Sequence, residues 1–130
     1  MKRSTDRILT THTGSLPRPD DLVTMLYAKE KRELGDERAF HERVRAVTAE
    51  VVQKQLDVGV DVVNDGEVGK IGYATYVKDR LTGFDGEAGP LRSADVLEFP
   101  SFAKRVYRLT GVKRPACTGP ITYKDRAALQ

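Results

Sequence analysis

The stretch from Phe40 to Val63 constrains the fold more than any other part of the chain. Phe40, Val44, Val47 and Val51 recur at intervals of four, three and four, which places them on one face of a helix. Glu37, Glu42, Arg43, Arg45 and Glu50 fill the other positions. Leu56 is expected to continue the apolar stripe, and Gly59 to stop the helix in a left-handed conformation. The β-prone run Val60-Asp61-Val62-Val63 follows at once. A helix, a tight turn and then a strand form the second half of a βαβ unit. Such a unit joins parallel strands through a right-handed crossover.

The first strand of that unit is expected at Ile8–Thr11. Gly14, Pro17 and Pro19 then delay any helix until Pro19 has passed. Asp20 or Asp21 is expected to cap the next helix, where Leu22, Met25 and Leu26 repeat at helical spacing. Gly35 interrupts, and Asp36 is placed to start the longer helix. Further on, Tyr73 to Leu81 reads as helical, and Gly83, Gly86, Gly89 and Pro90 as a loop. Phe102, Val106 and Leu109 predict a short helix after Pro100. Ala116–Thr118 is expected to be a third strand, and residues 125–130 the beginning of another helix. The reading is α/β with a parallel sheet.

Composition narrows the function. The 130 residues carry a net charge of +3 with acidic and basic groups interspersed, so no basic stripe marks a nucleic-acid partner. No run approaches the ~18 apolar residues of a membrane span, and Lys2-Arg3 is not followed by the apolar core of a signal peptide. A single cysteine, Cys117, fits a reducing cytoplasm and is expected to be a buried strand residue. With His12 and His41 as the only histidines, no metal-ligand spacing exists.

Each extended stretch ends in glycine beside hydroxyls or a carboxylate. His12-Thr13-Gly14-Ser15 follows the first, Asn64-Asp65-Gly66-Glu67 the second, and Thr118-Gly119-Pro120-Ile121-Thr122 the third. Active sites of parallel α/β proteins form at the carboxyl ends of their strands. Asp65 and Glu67 flank a glycine that lets the backbone turn sharply. A carboxylate there suits an ammonium group, proton abstraction or a cation, although Asp-Gly is also ordinary turn chemistry. Thr13, Gly14 and Ser15 offer hydroxyls and amides to a small carboxylate or phosphate, or simply cap a helix. His12 and Arg18 add a charge or a proton carrier, or are hydrogen-bonded framework.

In this order and spacing the motifs are specific. His12-Thr-Gly-Ser-Leu-Pro-Arg18, then Gln55-x-x-x-Gly59-Val-Asp61 leading into Asp65-Gly-Glu67, then Thr118-Gly-Pro-Ile-Thr122, resemble the catalytic barrel of the cobalamin-independent methionine synthase family. The likeness is greatest to its single-barrel, methionine-synthase-like members. The resemblance implies a zinc-dependent (β/α)8 TIM barrel that transfers a methyl group to the thiol of homocysteine. It implies that Ser15 and Thr13, with Gly14, meet the substrate carboxylate and that Glu67 meets its ammonium, with Asp65 and His12 alongside. The family's zinc ligands, His, Cys and Glu, have no counterpart in this chain. The tryptophan on which methyl-folate stacks is absent too, and Tyr123-Lys124-Asp125-Arg126 stands in that region. The methyl donor, methyl-folate or another, is therefore open. Val68-Gly69-Lys70 replaces the polar residues that follow the glutamate in the better-known synthases.

A β/α barrel typically takes about 250 residues. Residues 1–130 are accordingly expected to be the N-terminal portion of one such barrel, about its first three β/α units, with no catalytic residue or zinc ligand and inactive alone. Two rivals stand beside this expectation. One is another enzyme on the same barrel, such as a coenzyme M alkyltransferase or a porphyrinogen-type decarboxylase. The other is a small non-enzymatic α/β module that binds an anionic metabolite or a partner.

Overall fold

A computed structural model of the chain describes residues 3–89, 93–109 and 114–125. It is α/β and divides into two compact units, residues 1–71 and 72–130.

In the first unit, helix α1 (Asp20–Glu30) begins after Pro19, whose extended backbone is the N-cap. Neither Asp20 nor Asp21 caps it by a side-chain bond, contrary to expectation. Both lie inside the first turn, where their charge favours the positive end of the helix dipole. Helix α2 (Glu37–Asp57) starts as expected at Asp36, whose carboxylate accepts from the Ala39 amide at 3.0 Å. It ends at Val58. The Gly59 amide bonds to the Leu56 carbonyl and the Val60 amide to the Gln55 carbonyl, with Gly59 at φ +80°. That pair of bonds is a Schellman cap.

Phe40, Val47 and Val51 of α2 are buried against Leu22 and Leu26 of α1 and against Val68, with Leu16, Met25, Leu34, Val44 and Ile71 packed around them. Leu56 does not continue this stripe and is 53% exposed. Helical geometry explains the miss. At ~100° per residue, the position after Val51 that returns to the buried face is 55, and position 56 points elsewhere. Gln55 is therefore the buried residue. Across the two helices, Arg43 of α2 pairs with Asp21 of α1 at 2.6 Å.

The expected strands around residues 8–11 and 60–63 meet as one parallel bridge, Thr11 with Val62. The Val62 amide donates to the Thr10 carbonyl at 3.1 Å, and the Thr11 hydroxyl donates to the Val62 carbonyl at 2.7 Å. Asp61 secures the start of this pairing. Its carboxylate accepts from the Arg7 guanidinium, from the Thr10 amide at 2.9 Å and from the Thr10 hydroxyl at 3.1 Å. The Arg7 hydrogen bond first, and then the Thr10 amide, hold the Asp61 carboxyl well below the usual carboxylate range.

The second unit corrects the sequence reading. Helix α3 (Tyr73–Arg80) forms where expected, but the glycine-rich stretch after it contains strand β1 (Phe84–Ala88) rather than a loop alone. Helices α4 (Ala94–Glu98) and α5 (Pro100–Leu109) follow, the former not anticipated. Strand β2 (Arg114–Cys117) then pairs antiparallel with β1. The expected third parallel strand is thus one arm of an antiparallel ribbon. Gly86, at φ +65°, sits where the register slips between Asp85 and Ala88. A glycine at positive φ inside a strand makes a bulge, which from sequence looks like a loop signal. Cys117 ends the ribbon exposed, not buried, because a ribbon of two strands leaves its end uncovered. The helix expected over 125–130 falls outside the described residues except for Asp125. Among the described residues no helix is long and apolar enough to cross a membrane.

Phe40 is 2% exposed and sits at the centre of the only apolar cluster among the described residues. Phe40→Ala is expected to lower the unfolding free energy by about 3–5 kcal/mol. Chemical denaturation followed by circular dichroism measures this, and a loss under 1 kcal/mol would mean the cluster is not the core.

Candidate functional site

Four backbone and side-chain devices in the first unit build a turn at residues 64–70. Gln55, buried in α2, donates to the Asn64 carbonyl at 2.8 Å and accepts from the Asn64 amide at 3.2 Å. Asn64 in turn donates from Nδ2 to the His12 carbonyl at 2.7 Å and accepts from the Gly66 amide at 2.8 Å. Asp65 accepts from the Glu67 amide at 2.9 Å, closing an Asx turn. The Leu16 amide donates to the Gly66 carbonyl at 2.9 Å. These bonds tie the end of the second extended stretch to the loop that comes after the first.

Gly66 is required at its place. It adopts φ +61°, and a Cβ there would lie 2.9 Å from Val51 Cγ1 and 3.0 Å from Leu16 Cβ. Glu67 is next at φ +55°, a left-handed conformation rare for a residue with a Cβ. Strain of this kind persists only where the surroundings hold it. Arg18 supplies much of that hold. Its guanidinium donates to the carbonyls of Glu67 at 2.9 Å, Val68 at 3.2 Å and Lys70 at 2.7 Å.

The Glu67 carboxylate thereby faces the loop after the first stretch. Oε2 accepts from the Ser15 hydroxyl at 3.0 Å, and Oε1 lies 3.3 Å from the Lys70 ammonium. The Ser15 hydrogen bond first, and Lys70 second, hold the Glu67 carboxyl below its ordinary range. Ser15 and Glu67, 52 positions apart, are thus in direct contact.

The remaining expected site residues sit around this pair. Gly14 adopts φ +94° with open space at its Cβ position, and Thr13 is exposed beside it. Asp65 is exposed and uses one carboxylate oxygen for its own turn, the bland alternative read from Asp-Gly. His12 contributes its backbone carbonyl to Asn64, and its Nε2 is a buried nitrogen without a hydrogen-bond partner among the described residues. The Thr118–Thr122 loop lies in the second unit, where the Thr118 amide bonds to the Gly83 carbonyl and the Thr82 amide to the Thr122 carbonyl, both at 2.8 Å.

Sequence reasoning missed Gln55 and Asn64 as builders of the site and the pairing of Lys70 with Glu67. Helical period pointed to Gln55, since a polar residue on a buried face needs partners. Nothing in the sequence pointed to the partner of Lys70. Zinc finds no fit in these residues. No group of three or more His, Cys, Asp or Glu among the described residues is arranged to hold a metal ion.

The family model described as cobalamin-independent synthase, catalytic domain, matches residues 8–92. No curated protein and no solved structure matches the chain. The matched segment contains every residue of the turn and its supports.

Two outcomes test this construction. Gly66→Ala should destabilise the chain by roughly 1–3 kcal/mol through the contacts at Val51 and Leu16 and the positive φ. A melting temperature equal to the parent's would remove the steric argument. Because the Glu67 carboxyl is depressed in the folded chain, its contribution to stability is fully present above its unfolded pKa and fades as pH falls through the lower folded value. Ser15→Ala should move the Glu67 carboxyl titration, followed by carbon-detected NMR, upward towards the ordinary range. An unmoved titration would show that the Ser15 hydroxyl does not hold the carboxylate.

Proposed function

Because the chain belongs to the cobalamin-independent synthase catalytic-domain family, we propose that its first unit is the amino-acid-binding corner of a methyl-transferring enzyme. In this reading the thiol substrate is homocysteine or a close analogue. Thr13, Gly14 and Ser15 receive its carboxylate with a hydroxyl and backbone amides, and Glu67 receives its ammonium. Asp65 and His12 form the rim. The extended stretches before Ser15 and Glu67 are read as the first strands of a (β/α)8 barrel, of which residues 1–130 are the N-terminal portion.

The observation that carries this reading is the 3.0 Å contact between Ser15 Oγ and Glu67 Oε2 at the ends of two parallel stretches. It sets the loop proposed to receive an anion beside an anionic side chain. A zwitterionic amino acid presents opposite charges on one carbon and matches that juxtaposition. The open Gly14 loop supports access from that side.

Zinc would ionise the substrate thiol in a member of this family that holds it. Among the described residues no such centre forms, so the role proposed for them is to bind and orient the amino-acid end.

Homocysteine titrated into the isotope-labelled chain, with a phosphine reductant because Cys117 is exposed, should shift the amide signals of Thr13, Gly14, Ser15 and Glu67. Glu67→Gln should weaken homocysteine binding about threefold or more, less than a whole charge-assisted hydrogen bond because Lys70 already shares the carboxylate. Shifts confined to other residues, or unchanged affinity in Glu67→Gln, would overturn the reading.

A further inference from the structure

The Glu67 carboxylate is already engaged on both oxygens from within the chain. Ser15 holds Oε2 at 3.0 Å and the Lys70 ammonium lies 3.3 Å from Oε1. Lys70 is not a loose surface cation that drifts into reach. Its backbone amide bonds to the Glu67 carbonyl at 3.3 Å, and its own carbonyl accepts from Arg18 at 2.7 Å. The three-residue step from Glu67 to Lys70 is therefore a fixed turn, with both side chains carried on it. The two side chains are 28% and 20% exposed, so water screens the pair less than it screens a fully solvated one.

A carboxylate that receives a substrate ammonium must have an oxygen to offer it. Each carboxylate oxygen can accept more than one bond, but an ammonium of the same charge and hydrogen-bonding capacity already sits at Oε1, so a substrate ammonium must displace it or share the oxygen with a like charge. We propose that Lys70 is a specificity-determining residue: it stands in for the substrate's amino group on Glu67, so that an amino-bearing thiol acid must displace it or crowd against its charge, and loses most of its advantage over the same thiol acid without the amino group. The inference rests on the reading of Ser15 and Glu67 as the amino-acid-binding corner and adds a substrate class to it. The class favoured is a short thiol carrying an acid group, with the amino group tolerated rather than required.

The physical consequence is a ratio, not an absolute affinity. Homocysteine and 4-mercaptobutyrate share the thiol, the chain length and the carboxylate, and differ in the amino group alone. Any general effect of the Lys70 charge on the carboxylate acts on both ligands and cancels between them. What changes the ratio is the effect of Lys70 on the substrate ammonium itself, competition for Glu67 together with repulsion between like charges at one carboxylate.

The test is binding of both thiols to the full 130-residue chain by NMR titration, in the parent and in Lys70→Met, Lys70→Gln and Lys70→Arg. The parent should bind the two within about threefold of each other. Lys70→Met and Lys70→Gln should each raise the preference for homocysteine about tenfold, the scale of a hydrogen bond between charged groups. Lys70→Arg, which keeps the cation, should retain the parent ratio. A defect in folding would weaken both ligands together and leave the ratio where it was, and the spectrum of each variant reports it directly. A parent that prefers homocysteine tenfold or more, or neutral variants with an unchanged ratio, overturns the role of Lys70. If the role of Lys70 is overturned in either of these ways while both thiols bind and Glu67→Gln weakens homocysteine, the amino-acid-binding corner still stands. If neither thiol binds the parent, both fall.

Discussion

The amide of Val62 donates to the carbonyl of Thr10, and the site exists because of that alignment. It fixes two distant stretches side by side and pointing the same way, so that the loops at their ends arrive at one place. Asp61 makes the alignment directional. Its carboxylate gathers Arg7 and both polar groups of Thr10 just before the bridge begins, so a slip by one residue would strand these donors. Downstream, Leu16 closes on Gly66 and Asn64 on His12. The pairing that the fold requires and the convergence that the site requires are the same event.

Much of this could be read before any coordinates. The 4-3-4 spacing of Phe40, Val44, Val47 and Val51 identified the helix face that is buried, and Gly59 marked its end. Those features are local, and local geometry dictates them. The order of the strand-end motifs pointed to the family and to Ser15 and Glu67 as neighbours, although what they bind is a separate question. The failures are of two kinds. Leu56 was favoured because it is apolar, when helical phase assigned the inward place to Gln55, whose amide finds partners in Asn64. Glycines around Gly86 suggested a loop, when one of them serves a bulge in a paired strand. In the first instance the phase of the helix decides the outcome; in the second a partner strand distant in the chain changes what a glycine can do.

Electrostatics in the first unit is arranged around charges that are satisfied internally. Arg18 donates to three carbonyls of the turn, and its charge also helps to depress the Glu67 carboxyl. That choice leaves the turn positively framed while its backbone stays closed. Glu67 sits inside this frame with Ser15 on one oxygen and Lys70 on the other. A side chain held from several directions loses little entropy when a ligand arrives, which is how a small site orients a small molecule. The strained left-handed backbone at Glu67 is tolerated because so many bonds determine it at once.

The clasp of Gln55 on both the amide and the carbonyl of Asn64 has a further meaning. It fastens the turn to the last turns of α2, in addition to the bonds that tie it to the loop after the first stretch. Opening of the turn at residues 64–70 and fraying of that end of the helix should then be one cooperative motion, and slow amide exchange at one should be mirrored at the other. A turn of this construction draws part of its order from the helix behind it.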